Sequence, residues 1–238
     1  METARTMPLH SSSFGLNKMT HFYVLEIGSF TQYKFAWAEV VDQNVSKEPK
    51  RCPSCHKAVS MLQWLPPHTV WLKQSRIIGD FLICTGGSDF LATKKFRDVL
   101  LANRLTGIER SYPITVNKVG SRGLAPPAGL AQIFGFEIQH TMCRVDYDAS
   151  GAKWIEEPSP NVCPCCGPGG GGEGGILKSL NRIVLEHDTW TGEDIFIPIN
   201  MPGTILLTQR AADTIHEHEF TNVKIVPIDR LEISYGIY

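Results

Sequence analysis

The 238-residue chain contains no apolar run approaching 18 residues, which excludes a helical membrane span. It has no excess of charge of either sign: 23 Lys and Arg stand against 24 Asp and Glu, a formal net charge of −1. Such a chain has no global field to gather phosphate backbones or anionic lipid. Residues 1–18 lack the apolar core of about 7–15 residues that a secretory signal carries. They are expected to be a disordered tail, with Met19 an alternative start, and a cytoplasmic protein is expected. GxSxG, HExxH and P-loop patterns are also missing, so the chain is expected not to be an enzyme. What remains is ordinary globular composition, 42 % hydrophobic and 20 % charged, in a chain long enough to bury a core unaided.

Cysteine is the informative residue. There are seven, an odd number without a secretory signal, which disfavours a disulfide framework. Four of them lie in two similar words, Cys52-Pro53-Ser54-Cys55-His56 and Cys163-Pro164-Cys165-Cys166-Gly167. Two residues between thiols let both sulfurs reach one ion about 2.3 Å away, as in a zinc knuckle. A glycine after the second cysteine suits the positive φ of that turn; Gly167 supplies it, and His56 fits it less well. The words are separated by 107 residues, where zinc ribbons usually have about 15–20. Loop closure grows only with the logarithm of length, so the longer gap adds about 1.6 kcal/mol. Structural zinc supplies on the order of 10–16 kcal/mol in small peptides. A shared structural Zn2+ held by Cys52, Cys55, Cys163 and Cys166, one per chain, is therefore expected. Cys165 could replace a neighbour and His56 could be a fourth ligand; a reduced, metal-free cluster is the plainer alternative. Cys84 and Cys143 sit in apolar runs and read as core.

A repeat accompanies the cysteines. Residues 90–109 and 205–224 align 115 positions apart, placing Thr93 on Thr208, Asp98 on Asp213, Thr106 on Thr221 and Gly107 on Asn222. The expected fold class is α+β, with two related halves (19–125 and 126–238). Each half carries a knuckle (52–55 or 163–166) and a strand–helix–strand unit, and the halves share one four-cysteine zinc site. Thr93 and Thr208 are expected N-caps, and Gly107 and Asn222 the helix stops. Strands are expected at 81–84, 90–92, 195–199 and 205–207, and extended chain at 21–27, 33–40, 134–147 and 177–186. The glycine-rich stretch 167–175 is a loop beside the second knuckle, and its GxGxxG spacing is an accident of composition. Residues 120–129 read as the link between the halves. His216 and His218, two apart, point about 200° apart on a helix and cannot share a metal.

With two cysteine words, their wide spacing and the repeated Thr-x-x-x-x-Asp unit in view, the chain resembles the myxobacterial double-CxxCG family, which includes immunity proteins of swarming-inhibition toxin systems. The resemblance covers about residues 19–230 and also rests on the segment Trp190–Phe196; His56 departs from the family's glycine. It implies an immunity protein that binds and neutralises a cognate polymorphic toxin in kin discrimination, a task of surface rather than chemistry. Under that reading, Trp190 with Glu186, Asp188, Glu193 and Asp194 forms an acidic face suited to a toxin with a basic cleft. The alternative is a zinc-ribbon nucleic-acid-binding or regulatory protein, for which Lys47, Lys50, Arg51 and Lys57 flank the first knuckle.

Overall fold

The computed structural model describes residues 21–28, 34–42, 44–46, 48–85, 90–169 and 174–234. The expected tail 1–18, Met19 and the middle of the glycine-rich stretch lie outside these residues. In chain order the strands are β1 (Phe22–Ile27), β2 (Trp37–Val40), β3 (Thr69–Lys73), β4 (Phe81–Leu82), β5 (Cys84–Thr85) and β6 (Phe90–Thr93). Helix α1 (Lys94–Ala102) follows, then β7 (Ile108–Pro113), β8 (Thr115–Val119), β9 (Ile133–Ile138), β10 (His140–Thr141), β11 (Lys153–Glu156) and β12 (Ile176–Leu180). The chain continues with β13 (Ile195–Pro198), β14 (Leu206–Thr208), helix α2 (Gln209–Glu217), β15 (Val223–Pro227) and β16 (Ile233–Ser234). Among the described residues, mixed sheets with two short α-helices make this an α+β fold.

Strands β6 and β14 are buried along their whole length and act as the inner rails of two sheets. One sheet runs β4-β6-β9-β7; the other runs β10-β13-β14-β1-β15. The first pairs Phe81 with Ala92 and Thr93 with Ile133, and the second pairs Ile195 with Leu207 and Thr208 with Phe22, all antiparallel. Helices α1 and α2 each leave the end of an inner rail and lie over a common core. That core holds Phe81, Phe90, Phe96 and Phe136 with Leu207 and Ile215. Its rings meet edge-on and stacked at 4.8–5.7 Å, the range aromatic pairs prefer. A second core lies under β5-β2-β3-β8 around Trp64, and a third joins β11-β12-β16 to Phe196 and Leu206.

Three expectations change on the structure. The helices end at Ala102 and Glu217, earlier than the expected stops; Arg104 and Glu219 take the left-handed φ there. Gly107 and Asn222 also have positive φ (98° and 61°), but they turn the chain into β7 and β15. Of the N-caps, Thr208 accepts from the Ala211 N–H, whereas the Thr93 hydroxyl is drawn away to donate to Asp80. The stretches 134–147 and 177–186 are strands only in their first parts. Residues 142–147 and 181–186 meet at one bridge, Val145 with Leu185, because side chains take the backbone groups instead. Asn200 pairs with both backbone groups of Val145, Thr189 accepts from the Arg144 N–H, and Ser150 accepts from the Val184 N–H.

Candidate metal centre

Each cysteine word forms a tight turn that its own backbone closes. At the first, the His56 N–H donates to the Cys52 carbonyl at 2.9 Å; at the second, the Gly167 N–H donates to the Cys163 carbonyl at 2.8 Å. The residue after the second cysteine holds the same left-handed φ in both, 59° at His56 and 63° at Gly167. The histidine therefore fills the glycine position rather than distorting it. The Arg51 guanidinium donates to the His56 carbonyl at 3.0 Å and ties down this strained turn. Lys57 crosses to the Gly169 carbonyl at 2.8 Å, joining the two knuckles outside the thiols.

The four sulfurs of Cys52, Cys55, Cys163 and Cys166 converge within 4.8 Å of one another. Cys52 lies 3.9 Å from Cys163 and Cys55 lies 3.6 Å from Cys166, although 111 residues separate the members of each pair. A tetrahedral ion with metal–sulfur bonds of about 2.3 Å sets its ligands about 3.8 Å apart, so this spacing fits a tetrahedral thiolate shell. Cys165 and His56 stand outside the set; the Cys165 N–H instead donates to the Cys163 sulfur at 3.4 Å. Cys52 and Cys166 are buried against Val59 and Ile199, while Cys55 is exposed.

The surroundings favour thiolates at the head of each word. Burial works against ionising Cys52, yet the N–H groups of Cys55 and Ser54 outweigh it and bring the thiol to about 6. Cys163 is lowered by the N–H groups of Cys166 and Cys165. Burial pushes Cys166 up, so that position calls for a cation if all four sulfurs are to ionise together. Among divalent ions, a tetrahedral set of four sulfurs suits zinc, or iron in a thiolate site, and excludes magnesium and calcium.

Sequence reading missed the groups that hold the second knuckle. Arg144 donates to the carbonyls of Pro164 (2.7 Å) and Cys165 (3.2 Å) and pairs with Glu186. Asn200 clasps Val145, while the Tyr147 hydroxyl donates to the Asn200 carbonyl at 2.6 Å. Arg144 and Asn200 sit in apolar or turn-like stretches with no motif around them. Only Arg144's place beside Cys143 hinted at a buried role.

The expected acidic face is largely committed elsewhere. Asp194 is 4 % exposed and binds Thr106, Thr208 and Arg210, so its carboxylate is not on offer at a surface. Glu186 neutralises Arg144, and the Glu193 carboxylate accepts from Thr191. Trp190 packs edge-on against Phe22 at 5.2 Å and donates to the Glu193 carbonyl. Asp188 is exposed beside His187, with a positive φ of 61°. No helix among the described residues is long and apolar enough to cross a membrane. No family model matches the chain, and no curated protein matches it either.

Proposed function

We propose that the chain is a binding protein built round one structural Zn2+ and that its work is done by its surface. The observation that carries this reading is the closed set of four thiols, Cys52, Cys55, Cys163 and Cys166, all within 4.8 Å of one another. Four thiolates fill a tetrahedral shell and leave no position for substrate or activated water, so the ion would stabilise the fold rather than catalyse. In this reading the chain comprises two related halves, 19–125 and 126–238, each contributing one knuckle. Supporting it are the matched turn φ at His56 and Gly167 and the parallel placing of α1 after β6 and α2 after β14.

The finer proposal follows from the resemblance: a cytoplasmic immunity protein that neutralises a cognate toxin protein in kin discrimination. Of the expected contact residues, Asp188 is exposed, while Glu186, Trp190 and Glu193 are half-buried. The test is co-expression with the toxin gene adjacent to this chain's own gene, followed by pull-down and elemental analysis. A stoichiometric complex with one zinc per chain and restored growth supports the proposal. No complex and no protection refutes the immunity reading, and absence of metal refutes the zinc reading.

A further inference from the structure

Strands β1 and β9 carry related words, FYVLEI and IFGFEI, which align at a separation of 111 residues, that of Cys52 from Cys163. Leu25 falls on Phe136, Glu26 on Glu137 and Ile27 on Ile138. Their places in the sheets correspond, but crosswise. Strand β1, from the first half, lies between β14 and β15 of the second; β9, from the second half, lies between β6 and β7 of the first. The registers correspond too. Phe22 faces Thr208 and Tyr23 faces Leu207, as Ile133 faces Thr93 and Phe134 faces Ala92. On their other edges, Tyr23 faces Pro227 and Phe134 faces Pro113. Glu26 pairs with Lys224 at 3.4 Å and Glu137 with Arg110 at 3.2 Å, each across that same edge.

A second set of contacts crosses the same boundary. Asp80 accepts from the N–H and hydroxyl of Thr221, both at 2.9 Å, and Asp194 accepts from the same groups of Thr106 at 2.8 and 2.9 Å. The Phe81 N–H reaches the Thr221 carbonyl, and the Ile195 N–H reaches that of Thr106. At the cysteines, first faces first (Cys52 with Cys163) and second faces second (Cys55 with Cys166). Equivalent positions thus meet around one centre, an arrangement compatible with an ion on a two-fold axis.

We infer that the chain is a strand-exchanged pair folded within one polypeptide: each half gives its first strand to the other's sheet, and the four cysteines surround the axis relating them. The inference rests on the reading of two related halves and goes beyond it, because the sheet that carries each half's helix then takes a strand from the other half. The surface that each half presents fits one kind of partner, the other half or a copy of it. Exchanged strands make an interface of the obligate kind, in which the partners share a core and do not persist as separate folded pieces. The covalent link at 120–129 joins the pair but does not hold it.

The test cuts that link in the full chain. A protease site inserted between Ala125 and Pro126, in an exposed stretch, is cleaved after the protein is purified with zinc. The two fragments are expected to elute together at the size of the intact chain and to melt in one transition. Separation into two particles in native buffer, or precipitation on cleavage, overturns the inference. Fragments that stay together and hold no zinc by elemental analysis support the exchange while refuting the metal reading, so the two failures are distinguishable. Hydrogen exchange on the uncut protein gives a second readout. Amides of β1 should open together with β14 and β15, and those of β9 with β6 and β7; opening of β1 with β6 and β7 refutes the exchange.

Discussion

Asp194 accepts both the backbone N–H and the hydroxyl of Thr106, a residue 88 positions earlier in the chain. The same carboxylate accepts from the Thr208 hydroxyl at 3.1 Å and from the Arg210 guanidinium. One side chain thus joins the turn after α1 to the start of α2. Asp80 makes the corresponding links to Thr221 and Thr93, with Lys95 at 3.5 Å in place of the arginine.

Removing this joint should be costly. Asp194→Ala leaves the Arg210 guanidinium without its carboxylate and strands the Thr106 N–H. Breaking such a pair costs about 3–5 kcal/mol when buried, toward the lower end here because the Arg210 side chain is half exposed. At roughly 2–4 °C per kcal/mol for a chain of this size, a fall of about 6–12 °C in Tm is expected by calorimetry. Asp80→Ala should cost less, since its cation is a more distant lysine. Equal losses would contradict the ranking.

The same carboxylates set an acid limit. Burial raises Asp194, but Arg210 and the Thr106 donors outweigh it and hold the group below the usual carboxylate range; Asp80 is lowered likewise against its burial, by Thr221 and Lys95. A folded pKa below the unfolded value of about 3.9 means the stabilisation is complete above that value and disappears as pH falls through the folded pKa. The Tm difference between wild type and Asp194→Asn should therefore be constant from pH 7 to about 5 and shrink below about 4. A difference that widens in acid would show that the carboxylate is not the stabilising form.

Much of this site could be read in the residues, and the missing part has a physical cause. Cys-Pro-x-Cys words specify local turns, so both knuckles were legible from spacing alone. Thr208 was legible as a cap because its partner, the Ala211 N–H, is three residues away. Thr93 has the same local signal, but a carboxylate 13 residues upstream takes its hydroxyl. Asp194 read as surface acid because adjacent Glu and Asp on a Gly-containing loop usually are; its partners lie at sequence distances that no window spans. The pairing of β1 with β14 and β15 was equally hidden, since an alternating apolar strand announces a buried face but not which neighbour covers it.

Gly107 offers a local check of the crosswise packing. At its φ of 98° an L side chain is strained, and a Cβ there would run into the Ile195 carbonyl. Gly107→Ala should cost about 2–4 kcal/mol, strain and overpacking together, read as a lower midpoint in urea. Asn222, the corresponding residue, tolerates its φ of 61° because its amide donates to the Phe81 carbonyl at 2.7 Å. Asn222→Ala should lose that bond, and Asn222→Gly should recover part of the loss by relieving the backbone. A Gly variant less stable than Ala would mean that the turn is not strained.

The three cysteines of the second word provide the sharpest test of the metal set. Cys163 and Cys166 join Cys52 and Cys55 in the cluster, and Cys165 does not, though it lies between them in sequence. Cys166→Ser and Cys52→Ser should each abolish the one equivalent of zinc that the proposal expects in elemental analysis and lower Tm by several degrees, because three thiolates and a serine hydroxyl bind far more weakly. Cys165→Ser should keep the full equivalent and nearly the full Tm, since its backbone N–H, which supports Cys163, survives the change. Metal retained in Cys166→Ser but lost in Cys165→Ser would assign the fourth ligand to Cys165 and require the knuckle turn to be redrawn with one residue between its thiols.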